Sequence, residues 1–303
     1  MTHDAIVVGG SFAGLSAAMQ LARARRRVLV IDAGRPRNRF AHASHGFLGQ
    51  DGRAPAAIVE NARAQVLAYP TAAFVAGEAE HAREIEDGFE VALASGEILS
   101  ASRLVLATGV IDELPEVEGL RERWGVTVLH CPYCHGYEVA DGRLGVLATS
   151  PMSMHQALLV PDWSARVTLF TNGAFTPDAE QRALLDARGV RVEERPVRAL
   201  LGPTPRLDGV RLADGEVVPL DALFTASRTR MASPLAEQLG CAFDDGMNGP
   251  IVRTGELKET TVPGVYAAGD ATRAMHNATL ASADGVLAGI AAHRSMIPEL
   301  QPR

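Results

Sequence analysis

The chain has 303 residues, 47% hydrophobic and 21% charged, enough for two domains with substantial cores and too apolar for a disordered chain. A formal charge of −7 argues against nonspecific binding to nucleic acid, and no apolar run approaches membrane-spanning length. Met1 to Asp4 lead straight into a strand with no basic region or cleavable apolar segment, so no secretory leader is expected; three cysteines suit a reducing compartment, and the cytoplasm is the default.

The first predicted elements are a strand over residues 5–8, a turn Gly9-Gly10-Ser11-Phe12-Ala13-Gly14, a helix over residues 15–25 and a strand over residues 27–31 ending at Asp32. Gly9 permits a sharp turn, Gly14 lets the helix pack close to the sheet, and the helix N-terminus offers backbone N–H groups to a pyrophosphate. Asp32 follows Gly14 by 18 residues, where an acid bonds ribose hydroxyls. Ser11 stands where the pattern has its middle glycine and is small enough to keep the match. The bland alternative is a glycine-rich turn that binds nothing. The cluster Arg23, Arg25, Arg26 and Arg27 ends the helix, where cations suit the helix dipole, and reads as a solvated cap.

Two later strands look like parts of the same domain: residues 103–109, ending at Thr108 and Gly109, and residues 262–270, ending at Gly269 and Asp270, with a helix from about Thr279. Between them a second strand-helix-strand run covers residues 142–148, 151–160 and 166–170, followed by strand-like segments at 189–193, 210–212 and 222–226. The expected architecture is α/β, with two Rossmann-like domains, the second inserted into a discontinuous first. Boundaries fall at 1–113, 114–243 and 244–303.

The segment His130-Cys131-Pro132-Tyr133-Cys134-His135 holds two of the three cysteines. A two-residue gap lets both sulfurs reach disulfide distance across one turn, and Pro132 fits the first turn of a helix starting after Cys131. The positive end of that helix favours thiolate over thiol. Zinc is the first rival, but neighbouring side chains such as Cys134 and His135 diverge and do not readily converge on one tetrahedral ion. A buried, inert pair is the other rival. Cys241 stands alone and reads as a small buried hydrophobe.

The inserted unit lacks what the first has. Its turn reads Ala148-Thr149-Ser150-Pro151-Met152-Ser153, without glycine, and its next strand ends in Thr171-Asn172-Gly173, with no arginine for a 2′-phosphate. It reads as a nucleotide unit that has lost its ligand, the alternative being that Ser150 and the free N–H groups after it still hold a dinucleotide.

The order of glycine turn, Thr108-Gly109 strand, inserted CxxC and closing Gly269-Asp270 strand resembles the low-molecular-weight thioredoxin reductases over essentially the whole chain. They belong to the class II pyridine nucleotide-disulfide oxidoreductases. Cys131 to Glu138 is most similar to the FAD-dependent dithiol oxidases of that group. The resemblance implies FAD on the first domain, a degenerate NADPH-type inserted domain and a homodimer. It places Gly9, Gly10, Ser11, Ala13 and Gly14 on the FAD pyrophosphate, Asp32 on the adenosine ribose, Thr108 and Gly109 along the cofactor, and Gly269 and Asp270 on its ribityl-phosphate part. A loop over residues 37–49, including Arg39 and His45, would lie along the flavin, though its histidines read equally well as surface residues. His276 and Asn277 replace an Arg-Gln pair that contacts the flavin region in the reductases. Cys131 would be the outer sulfur that meets substrate, Cys134 the inner one, and His135 the base, standing where thioredoxin-reducing relatives carry an acid.

These features lead to the expectation of an FAD enzyme that oxidises a dithiol to a disulfide and passes the electrons to O2, giving H2O2. Two alternatives stay open: a disulfide reductase driven by NADPH or ferredoxin, and a non-catalytic flavin or redox-sensing partner protein. The substrate, a small dithiol or a protein, is not encoded in these motifs.

Overall fold

The computed structural model describes residues 3–300; Met1 and Thr2, at the head of the stretch considered for a leader, lie outside the described residues, as do residues 301–303. The chain opens with β1 (His3–Val8), α1 (Phe12–Arg23), β2 (Val28–Asp32), α2 (Pro55–Leu67) and β3 (Ala72–Ala76), then β4 (Ala79–Ile85), β5 (Gly88–Leu93) and β6 (Ile98–Leu106). Strand order is β3-β2-β1-β6, all parallel, with β5 and β4 continuing antiparallel. Burial on both faces explains the near-continuous apolar runs of β1 and β2. Helix α1 turns its alanines and leucines, Ala17, Ala18, Leu21 and Ala22 among them, into this core. It ends at Arg23, two residues earlier than the periodicity suggests, and Arg25 sits at φ 61° in the turn that follows.

After β7 (Val110–Glu113), β8 (Val128–Leu129), α3 (Pro132–His135), β9 (Leu144–Leu147), α4 (Ser153–Leu159), β10 (Val167–Phe170), α5 (Ala179–Ala187) and β11 (Arg191–Glu193) build a second parallel sheet. An antiparallel meander of β12 (Val197–Leu201), β13 (Gly209–Leu212) and β14 (Val217–Pro219) leads to β15 (Ala222–Phe224), which completes the five-stranded order β11-β10-β9-β15-β8. Phe170, Phe224, Leu144 and Leu169 are fully buried there.

The return comprises β16 (Arg228–Met231), α6 (Leu235–Gln238), the hairpin β17 (Phe243–Gly246) and β18 (Gly249–Val252), then β19 (Val265–Ala267) and α7 (Ala278–Arg294). β19 pairs parallel with the C-terminal half of β6, and α7 packs on α1. The two sheets therefore share one plan: β3-β2-β1-β6-β19 in the first and β11-β10-β9-β15-β8 in the second.

The described residues divide into two compact units, residues 3–39, Pro55–Ile111 and 229–300 in one, and Phe40–Ala54 with Asp112–Arg228 in the other. This departs from the boundaries expected at 113 and 243 in two places. Residues 229–243 belong to the first unit because Leu235, Ala236 and Cys241 are buried in its core. Residues 40–54 belong to the second, where a side chain at Gly125 would meet Phe40 Cβ at 2.7 Å.

Candidate active site

In the first unit β1 delivers the chain to a turn that no side chain could enter. Gly9 has φ +109°, and a Cβ on it would collide with the carbonyl of Ala107; a Cβ on Gly14 would collide with the carbonyl of Gly9. The start of α1 is thus drawn onto the turn, and its first N–H groups have no intrahelical partner. Ser11 caps the helix by backbone alone, with no side-chain bond. The N–H of Gly10 donates to Asp32 Oδ1 at 2.9 Å, which holds the carboxylate at the mouth of the turn. Beside Asp32 lies a pocket of about 300 Å³ that Arg63, Phe74 and Glu78 also line, with the Arg63 guanidinium 5.0 Å from the Phe74 ring centroid.

The same unit brings Gly269 next to Ala13, since a Cβ on Gly269 would meet Ala13 Cβ at 2.9 Å. Asp270 follows and accepts a hydrogen bond from Arg37 at 3.0 Å across 233 residues of chain. Arg37 was legible only as part of a loop. Behind this corner the buried Asp284 carboxylate accepts from Arg273 Nε at 2.7 Å and lies 3.0 Å from Lys258 Nζ, the chain's single lysine. Burial alone would raise the Asp284 pKa; hydrogen bonds from Arg273 and Lys258 outweigh it and hold the group below its ordinary value.

The register within each sheet identifies the residues of the second unit that are equivalent to those of the first. Val8 pairs with Ile31 as Leu147 pairs with Phe170, so Thr149 stands for Gly10, Ser153 for Gly14 and Thr171 for Asp32. There the turn is closed on itself. The Thr149 N–H donates to the buried Ser153 Oγ at 3.1 Å, Thr149 Oγ1 donates to the Ala226 carbonyl at 2.6 Å, and the Met152 N–H reaches Ser150 Oγ at 3.3 Å. Thr171 is buried and Asn172 Oδ1 accepts from the Val197 N–H at 2.9 Å. The groups that would address a pyrophosphate and a ribose are used within the protein.

The dithiol also belongs to the second unit. β8 ends at Leu129, two residues before Cys131, which is the N-cap of α3, with Pro132 in the first turn as its fixed φ favours. Cys131 and Cys134 form a disulfide with Cα atoms 5.3 Å apart. The helix has only four residues, so its dipole is weaker than a longer helix would supply. Tyr133, 73% exposed, meets Trp163 edge-on with centroids 5.5 Å apart. Burial pushes the half-buried His135 imidazole below its ordinary pKa; Glu138 pulls upward against it, and His45 adds to the lowering. Among the described residues no group of three or more His, Cys, Asp or Glu side chains forms a metal site.

The remaining predicted residues fall as follows. Thr108 and Gly109, the latter at φ 69°, form the turn after β6, in the same unit as the cradle. Arg39 is exposed and bonds the Pro36 carbonyl at 2.9 Å. His45 belongs to the second unit, between Asp51 and Glu138. His276 is half-buried in the segment before α7. Asn277 caps α7, its Oδ1 accepting from the Thr279 N–H at 2.8 Å, so it has a helix-capping role that the resemblance did not reveal.

An open nucleotide turn, a closed copy of it and a redox-competent cysteine pair set the class of the molecule, and the chain belongs to the pyridine nucleotide-disulphide oxidoreductases, whose family model matches residues 3–285. Within them it is thioredoxin-reductase-like. It is 33% identical over 307 residues to the thioredoxin reductase tcpT of Claviceps purpurea, covering 98% of this chain and 95% of that one. Among solved structures it resembles an oxidoreductase from Agrobacterium tumefaciens, with 50% identity, a TM-score of 0.93, and 98% and 99% of the two chains covered. It also resembles HlmI, with 42% identity, a TM-score of 0.91, and 98% and 93% covered. The protein is accordingly an enzyme of thiol–disulfide chemistry, and among its described residues no helix is long and apolar enough to cross a membrane.

Proposed function

We propose that this enzyme is an FAD-dependent dithiol oxidase, converting a substrate dithiol to its disulfide with O2 as electron acceptor and H2O2 as product. The observation that carries this reading is the contrast between the two turns: Gly9 and Gly14 keep the first free of side chains, while in the other the Thr149 N–H is taken by the Ser153 hydroxyl.

The residues present fit FAD in the first unit. A turn cleared of side chains at Gly9 and Gly14, with Asp32 at its mouth, suits a pyrophosphate and its ribose, and Gly10, Ser11 and Ala13 supply backbone around it. Thr108, Gly109, Gly269 and Asp270 would flank the rest. Bound there, FAD supplies the two-electron redox chemistry that links the dithiol to O2.

The chain's own residues manage the sulfurs and the proton. His135 takes the proton from one substrate thiol, and the resulting thiolate attacks Cys131 Sγ. The Cys131–Cys134 bond breaks and its electron pair leaves on Cys134 Sγ. The second substrate thiol, ionised by loss of its proton to solvent, then attacks the substrate sulfur of the mixed disulfide, releasing the cyclised or paired disulfide and Cys131 as thiolate. Substrate has lost two electrons, and the Cys131–Cys134 pair has gained them. Lowered basicity from burial keeps His135 neutral, and so able to take that proton, near neutral pH.

The name carried by the Claviceps relative favours a second reading, a reductase running the same exchange backwards with NADPH or ferredoxin as electron source. Anaerobic mixing separates them. The FAD-loaded enzyme should be bleached by dithiothreitol and recoloured by O2 with release of H2O2, while micromolar NADPH leaves its absorbance unchanged. Rapid stoichiometric bleaching by NADPH would move the assignment to the reductase. Protein that takes up no flavin would remove both.

A further inference from the structure

Helix α4 follows the closed turn as α1 follows the open one, but two of its buried side chains are polar, Ser153 and, one helical turn further on, Gln156. Gln156 is 6% exposed, on a helix whose buried Met154 and Ala157 join the apolar core. Its Nε2 donates to the His130 carbonyl at 2.8 Å, and because a carbonyl oxygen only accepts, the nitrogen is the end of the amide that must face it. The Oε1 is buried with no hydrogen-bond partner among the described residues. A half-satisfied amide in a core is less favourable than a methionine of similar size, so packing does not account for Gln156. The bond to His130 does.

That carbonyl belongs to the planar peptide joining His130 to Cys131, the N-cap of α3, so a hold on it fixes the unit from which Cys131 extends. One residue earlier the sheet does the holding: Leu129 pairs with Phe224, and its carbonyl accepts from the Thr225 N–H at 2.9 Å. The far end of the dithiol segment is gripped from the same stretch as Gln156. Trp163, just past the short turn that follows α4, lies so close to Gly136 that a Cβ there would come within 2.8 Å of its ring, and it meets Tyr133 edge-on. We infer that α4 serves as a clamp for the dithiol where its counterpart α1 faces a nucleotide, with Gln156 the positioning residue that holds Cys131 ready to close on Cys134. This rests on the dithiol exchange described above, not on FAD or O2. Fixing the peptide before Cys131 restricts the open dithiol more than the closed disulfide, so closure loses less entropy and the disulfide is favoured.

The reaction that reads this is exchange with dithiothreitol: the Cys131–Cys134 bond takes up two electrons and two protons, and dithiothreitol loses them to become its cyclic disulfide. The FAD-loaded enzyme is equilibrated anaerobically in mixtures of reduced and oxidised dithiothreitol, trapped by alkylation and analysed by mass spectrometry. Gln156→Met keeps the volume and loses the donor. Its equilibrium should shift about tenfold toward dithiol, the scale of one hydrogen bond, equivalent to about 30 mV for a two-electron couple. Ser153→Ala, on the same helix but with its native hydroxyl bonded to Thr149 and not to the dithiol segment, should keep the wild-type constant. Gln156→Glu should match the wild type at pH 6, where burial keeps the carboxyl protonated and able to donate, and move toward the Gln156→Met value at pH 8 as it ionises. Thermal unfolding and flavin absorbance check that each variant is folded and loaded. A wild-type constant in folded Gln156→Met, or an equal shift in Ser153→Ala, overturns the proposal, because a merely structural bond would change the unfolding temperature and leave the exchange alone. If Gln156→Met does not fold, Gln156→Glu decides, and a constant that keeps the same ratio to wild type at both pH values overturns it. A wild-type disulfide that dithiothreitol cannot open removes the exchange reading and this role together, whereas one that opens without consuming O2 removes the oxidase reading and leaves the clamp to stand on the constants.

Discussion

The two units answer one question in opposite ways. Both lay five parallel strands in the same order, both insert an antiparallel meander before the fourth of them, and both turn from a central strand into a helix at the corresponding point. In the first, the N–H of Gly10 reaches an acid at the mouth of the turn, and Gly14 packs so close to the Gly9 carbonyl that no side chain fits there. In the second, the equivalent N–H of Thr149 is consumed by the hydroxyl of Ser153, which stands where Gly14 does. Three replacements, Thr149 for Gly10, Ser153 for Gly14 and Thr171 for Asp32, separate the open turn from a self-satisfied corner. Strand order decides where a site can lie, and a few atoms at the turn decide whether one does.

Several changes would break or sharpen this contrast. Gly14→Val should have the largest effect, since its side chain is driven into the backbone of Gly9; the protein should purify without flavin or fail to remain soluble, and an absorbance spectrum after incubation with FAD reads the outcome. His135→Ala acts in the other unit and should do the reverse, keeping flavin while dithiol turnover falls by roughly 10² to 10⁴, with recovery at higher pH as substrate thiols ionise unaided. Wild-type turnover in that variant would take the proton carrier away from His135.

Asp284→Asn tests the support behind the cradle. The carboxylate is 2% exposed between Arg273 and Lys258, and removing its charge leaves two cations poorly paired, so about 3 kcal/mol of stability should go, measured by denaturant unfolding of the flavin-loaded protein. Ser153→Ala tests the plug. It strands the Thr149 N–H and should lower stability by about 1 to 2 kcal/mol without changing flavin content, because the second unit has no acid at Thr171 to complete a nucleotide site. NADPH-dependent bleaching in this variant would show that the plug alone kept the cofactor out.

The smallest effect is expected at Asp221, whose pKa is lowered from 3.8 to about 2, chiefly by its side-chain hydrogen bonds with Arg143. A carboxyl depressed in the folded state adds stability that is fully present above its unfolded pKa and is lost as pH falls through the folded one. The pair is exposed and screened, so its contribution should be below about 1 kcal/mol. Wild type and Asp221→Asn should differ slightly at pH 5 and converge toward pH 2.

Much of this was legible beforehand because the informative contacts are short in sequence. The glycine turn, the β1–α1–β2 run ending at Asp32, and the helix that begins at Pro132 are each written within a few residues by steric rules. What was not legible joins distant stretches. Arg37 meets Asp270 and Lys258 meets Asp284 only after the chain returns from the second unit, and no local pattern marks either pair. Helix α2 is hidden for another reason: it buries only Pro55, Ile58 and Val66, too few to print a periodic stripe. His45 was legible only as a loop residue that read equally well as plain surface, and its neighbour Glu138 lies nearly a hundred positions on. The capping box of α5, Asp178 with Gln181, was there to be read and would have placed that helix.

The chain order of β19 also bears on assembly. In the second unit the strand beside β15 is β8, made before the rest of its sheet, so residues 112–228 emerge from the ribosome as a complete sheet. In the first unit the matching strand is β19, and the helix that covers α1 is α7, both made after everything else the two sheets need. Units that fold as they are synthesised close in the order their last strand appears. Translation therefore finishes the half that holds the Cys131–Cys134 pair first, and the glycine turn of the other stays open-sided until α7 arrives to seat Gly269 against Ala13.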